Sequence, residues 1–287
     1  MAGRDAAAPR LPYIDHLLGG LGRGNSVLER SFGEHIHWGY WPDPAAARPD
    51  SVEDFKDAAN RLSLELLDLA AITPGMRVLD AGCGFGGTLA RLEERLPGLD
   101  LVGLNIDARQ LRRAAGLAAA RPGRAPAFVA ADACALPFAD ASFDRVLAVE
   151  CIFHFPSRAA FLAEVRRVLK PGGVLVLSDF VPAAIWLGPA WMLRWRAIER
   201  LNLFGSCDVT CSAAGYRRLA ERSGLRMTTM RDISRHTLPT YAFLRHLLDQ
   251  RKVRDRGHRV AQAGLGLMDF VGRHGLLRYS LARFDRS

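Results

Sequence analysis

The stretch from Pro74 to Thr88, reading Pro-Gly-Met-Arg-Val-Leu-Asp-Ala-Gly-Cys-Gly-Phe-Gly-Gly-Thr, constrains what this chain can fold into more than any other. A Pro-Gly turn opens it, Val78 and Leu79 form a short apolar run closed by Asp80, and Gly82, Gly84 and Gly87 follow. An amphipathic segment begins at Thr88. That succession is strand, tight glycine turn and helix. Glycine reaches backbone conformations that a Cβ blocks and lets a ligand lie directly against the chain. The N–H groups at the start of the following helix favour an electronegative ligand group.

By spacing alone, Gly82, Gly84 and Gly87 fit the G-x-G-x-x-G pattern of dinucleotide sites. Asp80 argues for a different ligand, because a carboxylate there repels a pyrophosphate and attracts an ammonium group. S-adenosylmethionine carries an ammonium group and no phosphate, so the turn reads as a site for it rather than for a nicotinamide cofactor. The run Val-Leu-Asp-Ala-Gly-Cys-Gly resembles the first motif of class I S-adenosylmethionine-dependent methyltransferases. The resemblance implies a Rossmann-like, doubly wound α/β fold with a seven-stranded sheet. It also implies S-adenosylmethionine as cofactor and S-adenosylhomocysteine as product. A glycine-rich turn with no ligand is the bland alternative.

With 287 residues, 49% of them apolar, the chain can bury a substantial core in one domain with an appendage. Its five cysteines form no paired framework and suit a reducing cytoplasm. Cys207 and Cys211 have no second Cys/His pair at ligand spacing, which argues against zinc and for a site without metal. The N-terminus lacks the apolar core of a signal peptide, and no run has the length of a spanning helix. A cytoplasmic protein without membrane partners is the expectation. The formal net charge is +9, and from Arg231 onward twelve Lys/Arg against five Asp/Glu give +7. A basic face suits nucleic acid, acidic lipid or a phosphorylated substrate, or is simply solvated.

Taken in order, residues 1–24 read as flexible, being rich in Ala, Pro and Gly. Between Ser31 and Pro44 aromatic rings, histidines and glycines crowd together without periodicity, so the loop must bury its rings against something. It resembles the His-Trp-Gly-Tyr-Trp segment of small-molecule methyltransferases, which there closes over cofactor and substrate. The alternative is a lid that only docks on the core. Residues 51–71 read as a helix with Ser51 as N-cap and a core-facing side of Leu62, Leu64, Leu66, Leu67 and Leu69. A helix from Thr88 to Arg95 follows the turn. Strands are expected at Leu101–Leu104, Ala127–Ala130, Arg145–Val149 and Val174–Ser178, then at Arg226–Ile233 and Leu277–Phe284. Helices are expected over 158–169 and 213–223. Residues 182–212 hold Trp186, Trp191, Met192 and Trp195 at helical spacing and read as a cap. Tyr241–Arg273 reads as a basic helical insertion. The domain plan is therefore a lid and helix (1–72), a cofactor-binding core (73–180), cap helices (181–212) and the rest of the core with its insertion (213–287).

The run Leu136-Pro137-Phe138 to Ser142-Phe143-Asp144 and the Lys170-Pro171-Gly172-Gly173 turn extend the resemblance. It assigns cofactor contacts to Asp80, Gly82, Cys83, Gly84, Asn105, Ile106, Gln110, Asp132, Ala133 and Glu150. The family often has an acidic residue holding the ribose where this chain has Asn105, which can hydrogen-bond but has no charge. Ile106 would pack on the adenine, Asp132 would accept from its amino group, and Asp107 reads as a helix N-cap. His154 follows strand four at the active edge, as a general base or as a residue that shapes the loop. Natural-product O-methyltransferases commonly carry two adjacent histidines there, and Phe153 takes the first place here. Asp179, ending strand five, is read as orienting His154, touching substrate or capping a helix. The expected catalytic pair is thus His154 and Asp179, and His37, Trp38, Tyr40 and Phe153 are assigned to substrate.

The function implied is methyl transfer to a small organic acceptor, at oxygen or nitrogen, in specialised metabolism. C-methylation of an isoprenoid or other alkene through a carbocation is one alternative. A cofactor-binding fold that has become a cyclase or a binding module is another. Nucleic acid is not expected as a partner, for no Asn-Pro-Pro-aromatic motif is present. The oligomeric state is open, and a homodimer is allowed.

Overall fold

In the computed structural model, residues 11–121, 123–183, 205, 207–250 and 256–287 are described. Strand β1 (Arg77–Ala81) pairs in parallel with β2 (Asp100–Asn105) on one side and β4 (Phe143–Val149) on the other. Strand β3 (Ala127–Ala130) adds beyond β2, and β5 (Leu169–Pro182) beyond β4. The last strand, β7 (Leu277–Arg286), inserts antiparallel between β5 and β6 (Leu225–Asp232). The seven-stranded order is β3-β2-β1-β4-β5-β7-β6, so the winding direction reverses between β1 and β4. Open α/β sheets bind ligands at such a point, beyond the carboxyl ends of the strands.

The central strands read as unbroken apolar runs because helices cover both faces. Along β1, Val78 joins one core and Leu79 the opposite one, and along β5 Val174 and Val176 face away from Leu175 and Leu177. The first face is covered by α3 (Val52–Ala70) and α4 (Gly87–Arg95), through Leu62, Leu66, Leu89 and Leu92. The second is covered by α6 (Arg158–Val168) and α7 (Ala213–Ser223), through Phe161, Leu162, Val165 and Tyr216. Ser51 caps α3 by accepting from Asp54 N at 3.2 Å, as its sequence indicates, although Leu64 turns to solvent. Helix α5 (Ala108–Ala119) connects β2 to β3, with Asp107 as its N-cap.

Three differences from the sequence reading have physical causes. Residues 12–22, expected to be flexible, form α1 (Pro12–Gly22): proline starts it, and Ile14, Leu17 and Gly20 bury one stripe. A second short helix, α2 (Ser26–Phe32), follows with Asn25 as its cap. Strand β5 continues to Pro182 because β7 pairs with it from Val174–Asp285 to Pro182–Leu277. The basic insertion starts directly after β6, as α8 (Ser234–Thr237), α9 (Pro239–Asp249) and α10 (Arg256–Arg273). Trp186, Trp191, Met192 and Trp195 of the expected cap lie outside the described residues. No described helix is long and apolar enough to cross a membrane.

Behind the sheet edge sits a buried ionic cluster that no sequence pattern announces. The Asp179 carboxylate, 0% exposed, accepts from Arg158 Nη2 at 3.0 Å and from the Tyr216 hydroxyl, while its other oxygen takes Phe180 N at 2.8 Å. Arg158 also reaches Asp208 through Nη1 at 2.5 Å. A buried pair that loses one member leaves an uncompensated charge. Asp179→Ala should therefore lower unfolding stability by about 3 kcal/mol, read from urea melts. A full-strength fold with a lost rate would instead put Asp179 in the chemistry.

Candidate active site

At the switch point a cavity of about 400 Å³ opens above the ends of β1, β2, β3 and β4. Its floor is the glycine turn with Asp80, Gly82, Cys83 and Gly84, then Asn105, Ile106 and Gln110, then Asp132 and Ala133. Glu150, Cys151 and His154 close one side, and Leu11, Tyr13, Ile14 and residues 34–37 form the roof. A second, mostly apolar groove of about 350 Å³, between α4 and α5, gathers none of these strand-end groups.

Gly82 and Gly84 have φ of 84° and 55°, in the left-handed region that a side chain disfavours. Any Cβ on Gly82 would meet Cys151 Cβ and Sγ at 2.7 Å. The third fingerprint glycine has a different job. Gly87 is the first residue of α4, and its missing Cβ admits the lid, with Glu34 O and His35 Nδ1 at 2.5 Å from where that Cβ would stand. Gly86, which the spacing passed over, is the residue that makes the left-handed turn into α4, at φ 81°.

Asp80 is 2% exposed, and burial pushes its carboxyl up to about 7. Its Oδ1 is buried and accepts no hydrogen bond from the described residues. Such an oxygen costs free energy until a donor reaches it, and an ammonium group is the donor that also supplies charge. Burial pushes the neighbouring Cys83 thiol well up, so that it stays protonated and serves as apolar wall. At the end of β2, Asn105 Oδ1 accepts Asp107 N at 2.9 Å and Nδ2 faces Gln110 Oε1 at 3.5 Å. The amide thus fixes the turn, and the buried Gln110 beside it offers a second amide to a ribose. Asp132 Oδ1 accepts Cys134 N at 2.8 Å, which holds the carboxylate at the end of β3.

Glu150 has φ 48°, a costly conformation for a residue with a side chain. Its Oε1 accepts Trp38 N of the lid at 2.7 Å and the Tyr279 hydroxyl at 2.5 Å, and burial pushes its carboxyl up to about 8. The lid presents histidines to the cavity, and its larger rings pack elsewhere. His37 Nδ1 donates to Trp38 O at 2.9 Å, which leaves Nε2 to accept from Ser63 Oγ at 3.2 Å. Burial takes His37 down to about 4, so it is neutral. Trp38 packs against Phe180 and Tyr241, and Tyr40 stacks on His236 at 4.8 Å. Neither ring is on the cavity wall, nor is Phe153, which lies edge-on behind His154 at 4.4 Å.

His154 is on the wall. Its Nε2 meets the Tyr13 hydroxyl at 3.3 Å and its Nδ1 faces Cys207 Sγ at 3.6 Å. The Asp179 carboxylate, expected to orient His154, is instead engaged by Arg158, Tyr216 and Phe180 N. Tyr13 is the site residue that sequence reading missed, and the Ile14/Leu17 stripe behind Pro12 was the available sign that its segment is ordered. Much of the C-terminal positive charge is spent internally, in Arg231–Glu65, Arg273–Asp269, Arg278–Asp232 and Arg283–Asp285.

Sheet and cavity together define a Rossmann-like enzyme with a site for a cofactor that carries both adenosine and an ammonium group. The chain belongs to the class I S-adenosylmethionine-dependent methyltransferases, in their small-molecule, natural-product branch. The methyltransferase domain family matches residues 79–177. Methyltransferase GfsG of Streptomyces halstedii is 32% identical over 232 residues, 76% of this chain and 75% of that protein. The 27-O-demethylrifamycin SV methyltransferase of Amycolatopsis mediterranei (strain S699) is 32% identical over 217 residues, 75% of each chain. Among solved structures, geranyl diphosphate C-methyltransferase from Streptomyces coelicolor A3(2), in complex with Mg2+, geranyl diphosphate and S-adenosyl-L-homocysteine, superposes with TM-score 0.72. It is 20% identical and covers 98% of this chain and 100% of its own.

An ammonium group bound at the raised Asp80 carboxyl should make cofactor affinity depend on pH. Binding an ammonium group favours the ionised carboxylate, so below about 7 a proton must leave before it binds. Affinity for S-adenosylhomocysteine should rise with pH, by up to about tenfold per unit, and level off above that value. Calorimetry in buffers of different ionisation enthalpy should register a released proton near pH 6, and Asp80→Asn should abolish the release.

Proposed function

We propose that this enzyme methylates a hydroxyl oxygen of a small specialised metabolite, with His154 accepting the hydroxyl proton. The observation that carries the reading is the His154–Tyr13 contact on the cavity wall, at 3.3 Å and on the same cavity as the cofactor residues. When bound, the cofactor supplies a methyl carbon on a positively charged sulfur. The chain's own task is then to hold the acceptor in line, exclude water and take up one proton.

His154 suits that last task, since a neutral imidazole can take up a proton at a ring nitrogen. Burial, with the nearby Cys207, Glu150 and Cys151, pushes the Tyr13 phenol well up, so it stays a hydroxyl donor. It donates to Nε2 in the resting site, which keeps the other ring proton on Nδ1, facing Cys207. An acceptor hydroxyl replaces Tyr13 as the donor and leaves its proton on Nε2. The rifamycin relative, named for methylation at oxygen and covered over 75% of its length, supports this choice of acceptor atom.

C-methylation of an alkene is the second reading. Glu150 favours it, as a carboxyl on the cavity wall held by Trp38 N and the Tyr279 hydroxyl, which when ionised would face the cation and take the proton it loses. His154→Ala separates the two. Under the oxygen reading kcat should fall about 10²–10⁴-fold, with S-adenosylhomocysteine affinity held, and Tyr13→Phe should lose less. A loss below about tenfold, with the acid limb of the pH–rate profile unmoved, would sink the base role.

A further inference from the structure

The N-terminal segment brings Asp15 on α1, Glu29 on α2 and Glu34 just beyond it against arginines of the α4–α5 side. Asp15 Oδ1 meets Arg109 Nη1 at 2.8 Å, Glu29 Oε1 meets Arg113 Nη2 at 2.5 Å, and Glu34 Oε2 meets Arg121 Nη2 at 2.8 Å. Arg91 approaches the same Glu34 oxygen at 3.6 Å, and Lys56 lies 4.0 Å from its Oε1. The pairs run in register, since 15, 29 and 34 meet 109, 113 and 121 in the same order along α5 and just past its end. Two of the arginines do more than pair. Arg109 is itself fixed by Asp107, through Nε at 3.0 Å and Nη2 at 2.8 Å. Arg113 donates to Gly33 O at 3.0 Å and lies over the Phe85 ring at 5.0 Å, which ties the segment to the glycine turn.

These contacts hold the roof of the cavity. Leu11, Tyr13, Ile14 and residues 34–37 stand over the floor that carries the residues assigned to the cofactor, so lifting the roof would expose a ligand on that floor. We propose that α1 and α2 form a strap that gates cofactor exchange, and that the Asp15–Arg109, Glu29–Arg113 and Glu34–Arg121 pairs hold it shut. Each pair is partly exposed and modest alone, and acting in register they form a network that salt screens. The inference rests on the cofactor assignment and is independent of what His154 does.

The test is the dissociation rate of S-adenosylhomocysteine from the full chain, followed by surface plasmon resonance from about 0.05 to 0.5 M NaCl, a range over which the screening length shrinks severalfold. The wild-type rate should rise with salt. At low salt, Asp15→Asn and Arg113→Gln should each raise it about two- to fivefold and flatten its salt dependence. Asp15→Glu, which keeps the charge, should stay near wild type, and Asp15→Asn combined with Arg109→Gln should be no worse than the poorer single variant. A salt-independent wild-type rate, or normal rates in the variants, overturns the gate. So does a lowered melting temperature with an unchanged rate, which would make the pairs structural only. Failure of wild type to bind S-adenosylhomocysteine at all would instead overturn the cofactor assignment.

Discussion

Gly82 and Cys151 meet where no Cβ has room, and the site depends on that approach. It brings the turn after β1, which holds the cofactor residues, against the loop after β4, which carries Glu150 and His154. The two strands are neighbours at the point where the sheet reverses its winding, so their following loops diverge to opposite faces and leave a cavity between them. The Cys151 thiol donates to Ala81 O at 3.0 Å, which closes the junction with a hydrogen bond as well as with packing. The proposed cofactor and acceptor ends are thereby joined at one seam.

Three buried carboxylates stand on or beside three neighbouring strands, and their surroundings differ. Asp80, in β1, has an oxygen that accepts no hydrogen bond from the described residues. Glu150, after β4, is satisfied by the lid backbone and by Tyr279, so it links closure of the lid to the wall of the cavity. Asp179, in β5, is enclosed with Arg158 and Tyr216 and holds the sheet to α6 and α7. Through Asp208 the same cluster reaches the acceptor side: Asp208 N donates to Phe153 O at 2.8 Å, and Cys207 before it backs His154. A structural ion pair thus supports the geometry of the loop that carries the proposed base.

The roof over this floor is assembled from parts far apart in sequence. Trp41 bonds Asp54 through its indole, Tyr40 N and Trp41 N take carbonyls of Ala58 and His236, and Glu34 is clasped by arginines. The rings that make this segment conspicuous anchor it. The groups it turns inward are His35 and His37, both kept neutral by burial.

Local sequence determined the strands, the glycine turn, the Ser51 and Asp107 caps and the choice of cofactor, because each is dictated by residues within a few positions of one another. Asp80 beside its glycines favours an ammonium ligand over a pyrophosphate on charge alone. The tertiary structure decided what depends on partners distant in the chain. It turned Trp38, Tyr40 and Phe153 from the cavity, gave Gly87 to lid packing rather than to the turn, and closed Asp179 into an ion pair. It also brought Tyr13 to His154 across 141 positions. The reason is physical: backbone conformation and capping are short-range, whereas which face of a loop meets the cavity is set by packing and charge pairing between segments whose separation in the chain no local pattern records.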